Sequence, residues 1–379
     1  MDFALSAGER ATVDAARAFA QDVVAPAAAA IDRSGAFPRD IVSEAGRRGL
    51  LAMTLDRTSG GAGQSYVAYA LSIEAIAEAS ATVAVILTIA NSLLAEPLRQ
   101  SGSEAMRQRW LPALVSGTAV GGFALSEVDA GSDAANQQTT AVRDGDGWRI
   151  EGRKVWVANA EAADIALVFA VTDDRRGPRR VTAFVVPLTD ARVRRVPCDS
   201  LGVRGLGCMD LEFSGVHVGP DAVVGGQGRG LPIAFRALEG GRIAIAAQAL
   251  GVGQAALGEA LRYARTRRAF GRTIGEFQAI QFQLADLATD LEAARLLTWR
   301  AADARDRSPR VAIEAAMAKL QASEAAHRAA DRAMQILASA GYRQGSTVER
   351  LLRDVRAAEI YQGTSEVQRL IIAEQLLRA

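Results

Sequence analysis

The sequence predicts a mainly α fold with a central β-domain, in α–β–α order. Three observations carry this. At 379 residues the chain is longer than one hydrophobic core usually organises. Its two ends carry long alanine-rich runs with helical periodicity. Between them, short β-branched and aromatic runs are separated by Gly, Asp and Pro. The expected domains are 1–118 (helical), 119–229 (β-barrel or sandwich) and 230–379 (helical bundle).

Ser6 stands three residues before Glu9, a capping-box spacing. Val13, Ala16, Phe19, Ala20 and Val23 then form one apolar face. Pro26 is expected near the end of this helix. Arg39–Leu51 is a second amphipathic helix, and Thr58–Gln64 (TSGGAGQ) is a loop. Tyr66–Ala79, Thr82–Gln100 and Glu104–Leu114 complete the first domain. Strands are expected at Val120–Leu125, Thr139–Arg143, Trp148–Val157, Ile165–Val171, Thr182–Pro187 and Asp210–Val218. Asp144–Gly145–Asp146–Gly147 is a hairpin signal. Helices resume at Leu231–Arg265, Gly275–Ala304, Arg310–Ala340, Thr347–Tyr361 and Ser365–Leu377. Their small residues allow close packing, and their apolar faces imply an oligomer interface.

Apolar and charged fractions of 49% and 23% are those of a soluble globular protein. A net charge of +1 gives no electrostatic case for nucleic acid or an anionic membrane. The most apolar run, Ala81–Ala90, is too short to span a bilayer and reads as a buried helix, so no membrane insertion is expected. The start, MDFALSAGER, does not read as a signal peptide, and a cytoplasmic location is expected. Lys154 and Lys319 are the only lysines. Cys198 and Cys208 lack metal-ligand spacing and suit a reducing compartment, with a disulfide between them the alternative. His217 and His327 fit no nucleophile or metal pattern, so no metal site is expected.

The stretch with most chemical content is Arg353–Arg369, RDVRAAEIYQGTSEVQR. A charged helix ends at Ile360–Tyr361, and the turn Gln362–Gly363–Thr364–Ser365 leads into a new helix. Gly363 lets a bound group approach the main chain closely. Thr364 or Ser365 can cap the next helix, whose free N–H groups favour a polar or anionic ligand. A plain helix-starting turn is the simpler reading of these residues alone.

Two further stretches, Leu125–Asp133 (LSEVDAGSD) and Glu151–Asn159 (EGRKVWVAN), stand in fixed order with Arg267–Gly271 (RRAFG) before the turn. Over essentially its whole length the chain resembles the acyl-CoA dehydrogenase family. That resemblance implies a three-domain fold, flavin adenine dinucleotide (FAD) and a homotetramer built as a dimer of dimers. It implies an acyl thioester substrate on coenzyme A or an acyl-carrier protein, and an electron-transfer flavoprotein or oxygen as acceptor. Phe123, Leu125 and Ser126 match positions along the flavin ring, and Trp156 matches the aromatic residue against it. Trp156 as a β-domain core residue is the competing reading. Ser132, Tyr361 and Gly363 match positions near the substrate. Arg267, Phe270 and Gln278 match positions a neighbouring subunit offers to the adenosine diphosphate, where arginine makes charge-assisted bonds. Gln335, Ser339, Thr364 and Glu366 match further adenosine-side positions. Arg242 matches an arginine beside the active-site cavity, or pairs with Glu239 three residues earlier.

The departures matter more. The family base, a glutamate after Ile–Tyr, is Gln362 here. An amide cannot accept the α-proton, although its backbone N–H can still bond the thioester carbonyl. A second family location for the glutamate, just before the cavity arginine, is Gly241. Glu359, three residues before Gln362, is the candidate displaced base, with pairing to Arg356 as the alternative. The threonine that bonds flavin N5 in the family is Ala158, and its Gly-Gly is Ala338–Ser339. The expectation is therefore an atypical flavin oxidoreductase acting on an acyl thioester. An enoyl-thioester reductase, a flavin monooxygenase and a non-catalytic flavoprotein subunit are the alternatives.

Overall fold

The computed structural model describes residues 4–173 and 180–378. Helix α1, Ala7–Phe19, starts on Ser6 and Glu9, which form both bonds of the capping box. It buries Val13, Ala16 and Phe19. Pro26 does not end this segment. A π-helical turn, Ala20–Val24, passes the chain into α2, Ala25–Ser34, where the proline lies in the first turn, a position that tolerates it. After α3, Arg39–Arg47, the loop before α4 contains a short 3₁₀ turn at Arg57–Ser59. Helix α4, Tyr66–Ala79, is capped by Ser65, and α5, Ala81–Thr88, by Ser80. A second π segment, Ile89–Ala95, joins α5 to α6, Glu96–Ser101, and α7, Glu104–Ser116, closes the helical domain.

The middle of the chain forms β1 Gly121–Ala124, β2 Thr140–Asp144, β3 Gly147–Val157, β4 Ile165–Val171, β5 Val181–Pro187, β6 Val193–Pro197, β7 Met209–Val218 and β8 Val223–Val224. They make one sheet in the order β6-β7-β3-β2-β4-β5-β8, with β1 parallel to β4. β4 and β5 are buried almost throughout. Strand β6 escaped the sequence reading because VRRVP is short, carries two adjacent arginines and shows no alternation of apolar and polar residues. Its Arg195 is bound to the carbonyls of Glu161, Ala163 and Leu188, contacts no local pattern marks. Past the β6–β7 pairing, the Cys198 N–H meets the Cys208 carbonyl at 3.1 Å, and both cysteines are free thiols.

Helix α8, Gly230–Thr266, leads into the hairpin β9–β10, Arg268–Ala269 and Arg272–Thr273. Helix α9, Gln278–Arg307, packs on α8 and α4, and α10, Ala312–Leu337, packs on α8 and α9. Ala315, Ala318, Ala322, Ala326, Ala329 and Ala333 give α10 a fully buried stripe narrow enough for close helix approach. Short helix α11, Ser339–Tyr342, precedes α12, Thr347–Arg356, and α13, Ser365–Arg378. Two segments, Ala81–Ser101 and Gly230–Thr266, are apolar and long enough to cross a membrane, and both lie mostly inside the structure.

Ala338, between α10 and α11, has φ 52° and ψ −132°, a conformation that suits glycine. Ala338→Gly relieves about 1–3 kcal/mol of strain against a smaller cost in unfolded-chain entropy. The expected result is a net gain of about 1 kcal/mol, read as a higher urea midpoint at unchanged slope.

Candidate functional site

The turn after α12 is a fixed object. A 3₁₀ segment, Ala357–Glu359, carries the chain to Tyr361, whose hydroxyl donates to Gln248 Oε1 at 2.8 Å. Gln362 and Gly363 then both take positive φ, 54° and 96°. For glutamine this costs on the order of 1–2 kcal/mol, so something must hold it. Three donors do. Lys319 Nζ donates to the Gly363 carbonyl at 2.7 Å. Gln368 Nε2 donates to the same carbonyl at 2.8 Å and to that of Gln362 at 3.4 Å. Arg242 Nε donates to the Gln362 carbonyl at 3.3 Å. Thr364 Oγ1 accepts from Val367 N at 3.3 Å and caps α13.

With both carbonyls engaged, the Gln362 N–H has no partner among the described residues. The Gln362 side chain turns towards α8. Its Oε1 is buried without a hydrogen bond, and a Cβ built on Gly241 would fall on that oxygen. Only glycine at 241 leaves this space.

The carboxylates nearby are committed elsewhere. Glu359 accepts from His327 Nδ1 at 2.9 Å and is also bound by Arg356, the pairing the sequence offered as its alternative role. Glu239 faces Arg305 at 3.5 Å and accepts from Val311 N at 3.2 Å, so its pairing with Arg242 does not form. Burial pushes the Arg242 guanidinium down to about 10, against the pull of Glu239. Burial first, and Arg242 second, push the Lys319 ammonium down to about 7.

The second wall comes from the sheet. Phe123 on β1 packs against Phe169 at 5.0 Å between ring centres. Leu125 is buried, and the Ser126 carbonyl accepts from Val155 N at 2.9 Å. The Ser126 hydroxyl has no partner among the described residues. Register slips between Lys154 and Val157 where β3 meets β7. In that bulge Trp156 takes φ 54°, and its indole is 57% exposed, so it is no core residue. Asp210 holds it there: Oδ1 accepts from Trp156 N at 3.0 Å and from the Cys198 thiol at 2.9 Å, and Oδ2 from Arg153 at 2.6 Å. Burial and Asp210 push that thiol up to about 11. Behind the wall, buried Lys154 donates to Glu127 Oε1 at 2.7 Å and to the Leu125 carbonyl at 3.1 Å. Asp210 and Lys319 were not singled out by the sequence reading for these tasks. The one available signal was that Lys319 is one of only two lysines.

Comparison with known proteins now decides the family. Acyl-CoA dehydrogenase N-terminal, middle and C-terminal domain profiles match residues 6–118, 122–216 and 228–377. The human mitochondrial short-chain specific acyl-CoA dehydrogenase is 44% identical, over 96% of this chain and 88% of its own length. Butyryl-CoA dehydrogenase from Megasphaera elsdenii superposes over 100% of both chains with TM-score 0.97 and 36% identity. PigA, solved with FAD and proline, superposes over 100% of both chains with TM-score 0.96 and 27% identity.

The chain belongs to the acyl-CoA dehydrogenase family. It is an FAD-dependent oxidoreductase acting on CH–CH donors.

The residues present fit an acyl-CoA dehydrogenase flavin. A half-exposed indole on a rigid bulge and the unpartnered Ser126 hydroxyl are what a flat polar ring requires. Ala158, beside them and half-buried, offers no hydroxyl. Ser132 is exposed in the loop after Glu127. The remaining candidates lie elsewhere on the acyl-CoA dehydrogenase fold. Arg267 and Phe270 sit at the β9–β10 hairpin and Gln278 begins α9, all exposed, with Phe270 94% so at φ 51°. Gln335 and Ser339 flank the α10–α11 junction, and Glu366 stands in the first turn of α13, all exposed. Of this set, the structure sets only Thr364 and Glu366 beside the Gln362 turn.

Proposed function

We propose that this protein binds an acyl-CoA thioester across FAD, with a neutral glutamine where its relatives use a carboxylate base. The carrying observation is the Gln362 turn: its N–H is free, its carbonyl is locked by Arg242 and Gln368, and its side chain hydrogen-bonds no carboxylate among the described residues. The free N–H donates to the thioester carbonyl and acidifies the α-carbon. The amide cannot take the proton that this acidification loosens. Trp156 and Phe123 exclude water from one side of the ring, and Ser126 orients its polar edge. Bound FAD supplies the hydride acceptor. An electron-transfer flavoprotein is the proposed electron acceptor, and Arg267, Phe270 and Gln278 serve FAD of a second copy in a homo-oligomer. Exposed Phe282, Leu370 and Leu376 on α9 and α13 support such an assembly.

The test is an anaerobic titration of the FAD-loaded protein with butyryl-CoA. The expected result is a saturable shift of the flavin spectrum with slow bleaching, on the order of 10²–10⁴-fold below that of a relative with the glutamate. Fast, complete bleaching would overturn the missing-base reading.

A further inference from the structure

Four cationic side chains are buried among the described residues: Lys154, Arg242, Arg305 and Lys319. Two are neutralised by carboxylates. Lys154 meets Glu127 at 2.7 Å, and Arg305 meets Glu96 at 2.5 Å and Glu239 at 3.5 Å. The other two flank the Gln362 turn and have no carboxylate within 4.0 Å among the described residues. Lys319 has one carbonyl at 2.7 Å. Arg242, only 7% exposed, makes one long hydrogen bond, from Nε to the Gln362 carbonyl at 3.3 Å. A cation this far from solvent with no carboxylate partner is costly. For the other two buried cations among the described residues that cost is met by an acid.

We infer that the substrate supplies the missing charge: the site takes an acyl thioester carrying a second, free carboxylate, which binds Arg242. This rests on the reading that residue 362 receives the thioester carbonyl. Arg242 donates to the carbonyl of that residue, so the anion it binds lies close to the reacting carbons rather than at the distant phosphates of coenzyme A. A guanidinium fork matches a carboxylate with two parallel bonds. Lys319 adds positive potential from the other side of the turn.

The experiment compares butyryl-CoA with succinyl-CoA, which have equal carbon number and differ by a terminal methyl or carboxylate. Each is titrated into FAD-loaded protein and followed by flavin absorbance. Succinyl-CoA is expected to bind about tenfold or more tighter, the range of a charge-assisted bond. Arg242→Gln should remove that preference and Arg242→Lys should restore part of it. Gln362→Glu, which provides an internal carboxylate, should lower it without touching Arg242. Equal binding of the two thioesters, or a preference that survives Arg242→Gln, overturns the inference while leaving the thioester reading intact. If neither thioester perturbs the flavin, the thioester reading falls and this inference with it.

Discussion

Gln362→Glu is expected to start rapid anaerobic bleaching of the flavin by butyryl-CoA. The gain should be on the order of 10²–10⁴-fold in the reductive half-reaction, the usual worth of a general base. The replacement is nearly isosteric, so it enters the space above Gly241 that the amide already fills. It does not disturb the turn, because the bonds from its three donors run to carbonyls of residues 362 and 363. Arg242 and Lys319 favour its ionised form, the one that accepts a proton. Stopped-flow absorbance on wild type and variant decides the matter. Equal rates would mean that proton abstraction is served by another group, and would overturn the missing-base proposal.

Lys319→Met is expected to change how stability depends on pH. In the folded protein the ammonium is pushed from its ordinary 10.5 down to about 7 by burial and by Arg242, with Glu359, Glu366 and Glu324 pulling the other way. The unfolded chain keeps that proton up to about pH 10.5. Between pH 7 and 10.5 unfolding therefore takes up a proton, and stability rises with pH through this window. Below pH 7 both states are protonated and the whole penalty of the buried charge is present. The methionine variant lacks this rise. It should gain most over wild type below pH 7, by on the order of a few kcal/mol, less about 1 kcal/mol for the lost bond to Gly363. The advantage should shrink towards pH 10. Urea midpoints at pH 6.5 and 9.5 measure it, and parallel curves would refute it.

Local signals were read well where the chain is governed locally. Ser6 and Glu9 cap α1 as their spacing indicates, and Tyr66–Ala79 is the helix its pattern outlines. Pro26 misled because a π turn re-phases the helix before it, an adjustment set by packing. At the site, the tight turn at Gln362 and Gly363 was visible from residue types alone. What was hidden is what holds it. Lys319, Arg242 and Gln368 reach the turn from three separate helices, and Asp210 braces Trp156 from a neighbouring strand. Such contacts leave no periodicity or spacing in the sequence. The same holds for Arg305, whose capture of Glu239 frees Arg242.

Gly241 and Gln362 draw on a single parcel of volume, one from each side. A long side chain can be hung from the helix or from the turn, but two cannot coexist there. Migration of the acid from one anchor to the other thus demands paired exchanges, and each lone exchange passes through an intermediate that is either overcrowded or hollow. A bare residue deep in a helix is in this way an evolutionary latch: while it stays bare, whatever occupies the opposite anchor alone decides which chemistry the cleft performs.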